Sequence, residues 1–338
     1  MKYGTYQFRI NISGGKMKKK SVFMFLIISI SLLYLVSCAI TNQSSIQAGR
    51  IGFTKEMDEP SARGQLKRIT PEQSDARYRF CISPDEKDIV FSGVQAGGGD
   101  NLLQLWKISS NGSGSPIKIT SGGTNHFLSP SYTSDGEYIV YTSEGKLWKV
   151  REDGAGGKMK IPGSGTGWDF APHVSCDNIL VFCSVQYSNN NTTKKYLMWT
   201  SNLNGGELTQ IREGYYPRWS PDGNYIVFQH DNEIWTINAD GTQLTQLTNT
   251  SKIREELPSF SYDGNYIVYT SNEGKDGNVT SDWNIWTMKS DGSEKSQITE
   301  LGSWDSWPIW SKDGIYFLSA RAQKNNERIQ RIWKLNTK

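Results

Sequence analysis

Carboxylates, aromatic rings or both occur in four short segments of the chain, each just before a proline. Asp169, Glu255 and Asp305 all stand three residues before that proline. Carboxylates so placed could work as an acid and base pair or form a negative surface, and aromatic rings could stack on sugars or anchor a protein. The candidate partner-binding residues are Trp168, Asp169, Tyr215, Tyr216, Glu255, Glu256, Trp304, Asp305 and Trp307.

Two interpretations of these residues stay open. In one, the acids accept hydrogen bonds from backbone amides of their own loops, and the aromatic rings fill the end of a channel. In the other, they form an acidic, aromatic mouth that takes a loop or peptide of a partner. Both interpretations place the residues on loops outside the core.

The chain offers little other material for catalysis. The string nearest to a nucleophile elbow, residues 163–167 (GSGTG), has glycine where the nucleophile would stand. His126, His173 and His230 do not have the spacing of metal ligands. We therefore expect no catalytic residues, no metal and no cofactor.

The positive charge of the chain belongs to its first residues. Of the 37 Lys and Arg residues, six lie within residues 1–38, which contain no acid, so 31 remain against 34 Asp and Glu. A nucleic-acid-binding domain normally keeps a basic face. We expect no nucleic-acid partner.

The first residues resemble a bacterial lipoprotein leader. A positive segment (MKKK from Met17) precedes an apolar run, and the run ends in LVSC at Cys38, which resembles a lipobox. We predict a signal peptide over residues 1–37, with Met17 as a second candidate start, and a lipidated Cys38 that opens a tether over 38–63. An uncleaved membrane anchor is the alternative. Because Ala39 is not an aspartate, the lipoprotein rule favours the periplasmic face of the outer membrane.

The strongest pattern is an internal repeat. Residues 217–248 (PRWSPDGNYIVFQHDNEIWTINADGTQLTQLT) return at 258–299 with a longer middle, and weaker copies occur four more times. The turn aspartates of the six copies are Asp85, Asp135, Asp177, Asp222, Asp263 and Asp313. The matching tryptophans are Trp106, Trp148, Trp199, Trp235, Trp286 and Trp333. Repeats of this length are typical of propellers.

Each copy predicts four short strands, a to d. The second strand is a continuous apolar run such as Tyr225-Ile226-Val227-Phe228, so both of its faces must be covered. A β-sandwich would instead alternate along its strands. The sequence predicts an all-β, six-bladed β-propeller over residues 64–338.

Spacing also predicts how the ring closes. Too few residues follow Trp333 for a fourth strand, while residues 65–70 (QLKRIT) have the fourth-strand pattern with no blade before them. We expect this N-terminal strand to complete the last blade, which leaves no open sheet edge. Cys81, Cys176 and Cys183 are odd in number and are expected to be buried free thiols.

The SPDG turn, the IW strand and the DG…LT ending resemble the propeller of the TolB family over residues 65–338. TolB proteins carry an α/β domain before the propeller and are soluble in the periplasm, whereas this chain has a tether and a lipobox. The resemblance implies envelope proteins as partners, among them peptidoglycan-associated lipoproteins. We expect a monomeric, non-catalytic, lipid-anchored scaffold in the cell envelope. The alternative is a carbohydrate-binding or glycan-degrading propeller, with lyase or glycosidase chemistry at the same mouth.

Overall fold

The six copies of the repeat form six antiparallel sheets of four strands each. The computed structural model describes residues 66–71, 74–95, 102–121, 128–165, 167–187, 194–274, 277–300, 304–320 and 330–337. All of them lie in Met57–Lys338, one of the two units into which the chain divides. The predicted leader, Cys38 and tether lie outside the described residues and stay predictions.

The strands are short, and most blades follow one another directly along the chain. In order they are β1 (Leu66–Arg68), β2 (Ser74–Ile82), β3 (Asp88–Gln95), β4 (Gln104–Ser109), β5 (Ile117–Lys118), β6 (Ser131–Tyr132), β7 (Tyr138–Ser143), β8 (Lys146–Arg151), β9 (Met159–Ile161), β10 (Trp168–Val174), β11 (Ile179–Tyr187), β12 (Lys194–Asn202), β13 (Thr209–Glu213), β14 (Tyr215–Trp219), β15 (Tyr225–His230), β16 (Glu233–Asn238), β17 (Thr245–Gln246), β18 (Glu255–Phe260), β19 (Tyr266–Glu273), β20 (Val279–Lys289), β21 (Ser296–Gln297), β22 (Asp305–Ser311), β23 (Gly314–Ser319) and β24 (Arg331–Leu335).

Blades 1 to 5 are consecutive groups of four strands, starting with β2, β6, β10, β14 and β18, and blade 6 joins β22, β23 and β24 to β1. The first strands of neighbouring blades contact one another and surround a central channel. We call the end of the channel where these strands begin the insertion face. The opposite end, where the tight turns from the first to the second strand lie, is the turn face.

The N-terminal strand closes the ring as predicted. β1 pairs with β24, with Leu66 opposite Leu335 and Arg68 opposite Trp333. Thr70 Oγ1 accepts a hydrogen bond from the backbone N–H of Ile332 at 3.1 Å. The same bond recurs within blades 1, 4 and 5, for example from Ile234 N to Thr248 Oγ1 at 2.9 Å. Blade 6 therefore forms the same threonine hydrogen bond as blades 1, 4 and 5.

The second strands lie between blades, as their continuous apolar runs require. In β15, Phe228 packs against blade 3 in a cluster with Val181, whereas Val227 packs against blade 5 in a cluster with Ile267. All four side chains are fully buried. Both faces of the strand are thus covered by neighbouring sheets, which is the arrangement of a propeller and excludes a sandwich.

The aspartates of the repeat hold the turns on the turn face. Ser220 Oγ donates to Asp222 Oδ1 at 2.5 Å, and the backbone N–H of Asn224 donates to the same oxygen at 3.1 Å. The hydrogen bond from Ser220 is the main reason that the pKa of Asp222 lies below its usual value. Equivalent Ser or Thr to Asp bonds form at Asp85, Asp135, Asp263 and Asp313. These carboxylates are structural.

The cysteine prediction is right for two residues and wrong for one. Cys81 and Cys183 are buried free thiols, but Cys176 is exposed, because it lies in the turn between β10 and β11 on the turn face. Within the part of the chain that the structure describes, no helix is both long and apolar enough to cross a membrane.

Candidate functional site

The predicted acids lie on strands and not on loops. Asp169 and Glu255 are among the first residues of β10 and β18, and Asp305 opens β22. Each faces a buried serine of the second strand, in the pairs Asp169–Ser184, Glu255–Ser271 and Asp305–Ser319. The three carboxylates are at most 2% exposed. The expectation that they stand outside the blade cores is therefore wrong, since the strand begins earlier than the proline suggests.

Asp169 ties the preceding connection to its strand. Ser164 Oγ donates to Asp169 Oδ1 at 2.7 Å and lies 2.7 Å from Ser184 Oγ. A Cβ at Gly163 would lie 1.8 Å from the Asp169 carboxylate, so only glycine fits there. Burial raises the pKa of Asp169, and the serine hydrogen bonds oppose that rise.

Glu255 belongs to a buried cluster between blades 4 and 5. Thr250 Oγ1 donates to Glu255 Oε2 at 2.9 Å, and Lys295 Nζ lies 3.3 Å from Oε1. Glu233 is a neighbour in the same network, with the backbone N–H of Thr250 on its Oε1 at 2.7 Å. Burial raises the pKa of Glu255 to about 7, and the hydrogen bond with Glu233 adds to the rise. Burial and this hydrogen bond favour the protonated form of Glu255, while Lys295 favours the ionised form.

Aromatic side chains close the channel near the insertion face. We call the equivalent positions just before the first-strand proline the plug ring; its residues are Arg79, Ser129, Ala171, Tyr216, Leu257 and Trp307. The Arg79 guanidinium lies over the rings of Tyr216 and Trp307, at 4.8 Å and 4.2 Å from their centroids. Among the described residues, a cavity of about 20 Å³ lies beside this stack. Of the predicted binding residues, Tyr216 and Trp307 are thus brought together as part of the plug.

A backbone irregularity produces the plug. Ala171, Tyr216, Leu257 and Trp307 have φ between 50° and 58°, and the strand register shifts around each of them. Such a conformation is uncommon for residues other than glycine and costs on the order of 1–3 kcal/mol each. Its recurrence in four blades places one residue of each blade in the plug ring.

Two tryptophans remain exposed on the insertion face. Trp168 is 44% exposed and Trp304 is 43% exposed, each at the start of a first strand or just before it. Gly145 of the neighbouring blade lies directly under Trp168, where a Cβ would come within 2.7 Å of the indole ring. Tyr215 is half-buried and packs on Tyr196 at 4.5 Å between ring centroids. Glu256 is mostly buried and pairs with Arg254 at 2.6 Å.

The sequence analysis missed a second ring of channel residues. The positions just after the first-strand proline are equivalent in register, and we call them the channel ring; its residues are Cys81, Ser131, His173, Arg218, Ser259 and Ile309. They surround a cavity of about 370 Å³ that continues to the turn face. The repeat did contain a signal for this ring. The second position of its P-x-W-S pattern differs in side-chain type between the six copies, as a position that lines a channel can.

Metal-binding groups are scattered in the described residues. There, no three or more His, Cys, Asp or Glu side chains come together as metal ligands would. His173 is in the channel ring, while His230 lies 3.4 Å from Asp231 at the insertion face. His126 lies outside the described residues.

A family model matches the C-terminal part of the propeller. Residues 208–338 match the family of PD40 repeats, described as the TolB beta propeller domain. An uncharacterized protein of Agrobacterium fabrum is 26% identical over 202 residues, which make up 57% of this chain and 66% of that protein. The match thus spans just under two thirds of that relative's length.

Solved structures share the fold at low identity. A candidate TolB from Agrobacterium tumefaciens is 17% identical, with a TM-score of 0.56 over 80% of this chain and 96% of that one. A gluconolactonase from Xanthomonas campestris is 12% identical, with a TM-score of 0.58 over 81% and 91%. An oligogalacturonate lyase from Vibrio parahaemolyticus is 14% identical, with a TM-score of 0.53 over 81% and 93%. These proteins differ in function, so the likeness speaks for the fold alone. The chain carries TolB-type propeller repeats, arranged as a six-bladed β-propeller.

Proposed function

We propose that this protein is a non-catalytic, lipid-anchored propeller that binds protein partners in the cell envelope through its insertion face. The observation that carries the proposal is the filled channel end flanked by exposed rings. Arg79, Tyr216 and Trp307 close the channel, while Trp168 and Trp304 remain more than 40% exposed beside it. A closed surface with aromatic anchors suits a folded partner or a peptide better than a sugar chain, which needs an open groove.

The buried acids change which residues we assign to binding. Asp169, Glu255 and Asp305 are inside the blades, so they support the surface instead of touching a partner. The contact residues of the proposal are Trp304 and Trp168, whose indole ring packs against the backbone of Gly145. The resemblance to TolB favours envelope proteins, such as peptidoglycan-associated lipoproteins, as partners.

The lipobox supports the location. If Cys38 carries the lipid, the protein is anchored at the periplasmic face of the outer membrane, within reach of envelope proteins. The variant Cys38→Ala should lose both lipid attachment and leader cleavage, measured by mass and by membrane fractionation. A variant that is still cleaved at the same site and still sediments with membranes would contradict the anchor.

The binding proposal is tested by affinity capture from an envelope extract. The bait is the wild-type protein, the pair W168A/W304A, or the control Tyr225→Ala, which removes an equally exposed ring (46%) at the turn-face end of β15. We expect one set of proteins with wild type and Y225A, reduced at least tenfold with W168A/W304A. Equal capture by all three baits would contradict the proposal.

The same variants address the carbohydrate alternative. Binding of a glycan that depends on Trp168 and Trp304, without any captured protein, would replace the proposed function with sugar binding. Turnover of an oligosaccharide by the wild-type protein would replace it with catalysis.

A further inference from the structure

The channel ring contains a guanidinium that lacks a counter-charge. Arg218 lines both the small cavity under the plug and the large cavity beyond it. Among the described residues, no carboxylate pairs with Arg218, and the nearby cation Arg79 repels it. The Cys81 thiol is neutral at pH 7, because burial raises its pKa to about 12. Arg218 is half-buried, and a partly buried charge without an ion-pair partner is costly, so a protein that keeps one commonly uses it for a ligand.

His173 presents a second donor to the same cavity. The backbone N–H of Trp219 donates to His173 Nδ1 at 3.0 Å, so the ring proton of the neutral imidazole is on Nε2. Burial, with the nearby Arg218, holds the pKa of His173 well below its usual value. The imidazole is therefore a fixed hydrogen-bond donor at physiological pH.

Two further lining residues carry unused polar hydrogens. The indole Nε1 of Trp219 and the hydroxyl of Tyr132 are buried and have no hydrogen-bond partner among the described residues. Buried donors of this kind are normally satisfied. Both atoms are shielded from the cavity itself, which leaves Arg218 and His173 as the side-chain nitrogen donors of its lining.

The size and the walls of the cavity narrow the class of ligand. About 370 Å³ is within the range of small-molecule sites. Phe260 and Ile309 add apolar lining to the same cavity. One unpaired guanidinium matches a single carboxylate, and its fork donates to both oxygens at once. The rim, with Pro84, Ser134, Cys176, Pro221 and Tyr262, lies on the turn face and lets a ligand enter there.

We propose that the channel is a binding site for a small organic carboxylate, held by Arg218 and His173 with its apolar body against Phe260 and Ile309. The site lies at the opposite end of the channel from the insertion face, so it goes beyond the proposed protein-binding function. Failure of either proposal leaves the other standing.

The test uses the full-length protein in detergent and calorimetric titration with benzoate. Benzyl alcohol is the uncharged control ligand, and inorganic phosphate is the control for a site that takes any oxyanion. We expect benzoate to bind at least tenfold more tightly than either. Equal affinity for benzyl alcohol, or tighter binding of phosphate than of benzoate, would overturn the proposal.

Substitution identifies the group that holds the carboxylate. Arg218→Met keeps the length of the stem and should lower the benzoate affinity at least tenfold. The matched control Arg151→Met removes an exposed arginine that pairs with Asp153 and should leave the affinity unchanged. If the Met variant does not fold, Arg218→Lys keeps the charge but lacks the two-pronged fork, and we expect an affinity at least fivefold lower. Wild-type affinity in a folded Arg218 variant would overturn the assignment.

Discussion

Two arginines occupy the same channel, and their surroundings differ. Arg79 lies over the rings of Tyr216 and Trp307, whose π faces attract the cation. Arg218 is one ring further along, repelled by Arg79 and without a described carboxylate partner. Burial lowers the pKa of both. The charge of Arg79 is thus stabilised by side chains of the protein itself, whereas the charge of Arg218 is the one that we propose for a ligand.

Both arginines lie in a channel that exists only if the six blades close into a ring. Opening the ring should therefore have the largest effect on the stability of the protein. Deleting residues 64–70 removes β1 and exposes the edge of β24, along with the buried contacts of Leu66 and Ile69. We expect a loss of several kcal/mol, on the order of the whole stability of a domain. Thermal melting measures it. A deletion of equal length in the predicted tether, residues 40–46, is the control. Equal melting temperatures for both deletions would contradict the closure.

The second prediction compares the two arginines directly. Arg79→Met removes both cation–π contacts and should destabilise the protein by about 2 kcal/mol. Arg218→Met removes an uncompensated buried charge and should be neutral or stabilise the protein by about 1 kcal/mol. Urea unfolding of both variants without added ligand measures the difference. If both substitutions destabilise equally, Arg218 is satisfied within the protein and the two ends of the channel are alike.

The sequence predicted the frame of the propeller better than the two rings inside it. The repeat spacing fixed the blades, and the threonine register of Thr70 predicted the closure, because both depend on local hydrogen bonds that each copy repeats. Aromatic rings that fill the end of the channel were one of the two open interpretations, but the backbone that forms the plug was not predictable. Tyr216 and Trp307 take a left-handed conformation before a proline, where an extended backbone is expected.

The burial of the acids was missed for a related reason. Asp169 beside Trp168, and Glu255 beside Glu256, suggest exposed loops, since carboxylates are rarely buried unless they are paired. Their partners are provided by other parts of the fold: Ser164 and Ser184 for one, and Lys295, 40 residues away, for the other. Such pairing depends on strand register and is invisible in the local pattern.

The third prediction uses the buried pair of carboxyl groups near the insertion face. The pKa of Glu255 is raised to about 7, above its unfolded value near 4.3. The folded protein therefore holds a proton that the unfolded chain releases, so this group stabilises the fold below about pH 4, and the contribution is lost as the pH rises through 7.

Glu255→Gln should remove that dependence. The free energy of unfolding of the variant, minus that of wild type, should be about 1–2 kcal/mol larger at pH 8 than at pH 5. Chemical denaturation at the two pH values measures this. Glu294→Gln, which removes an exposed carboxylate paired with Lys289, should follow the wild-type profile. The same pH profile for wild type and E255Q would show that Glu255 is ionised throughout.

The smallest effect is expected at the turn face, where the aspartates are exposed. Asp222→Asn weakens the charge-assisted bond from Ser220 Oγ and should cost about 0.5–1 kcal/mol at pH 7. Because the pKa of Asp222 in the folded protein is below its unfolded value, its contribution is present above about pH 4 and is lost as the pH falls further. The stabilities of wild type and variant should therefore converge in acid, opposite to the behaviour of Glu255.

Asp231→Asn, at a side chain that is 83% exposed, is the control and should change stability little at either pH. A cost for D222N that persists unchanged at pH 3 would mean that the carboxylate acts through its shape and not its charge. In that case the turn face would contribute no acid sensitivity, and the pH dependence of the ring would come from the buried acids of the insertion face.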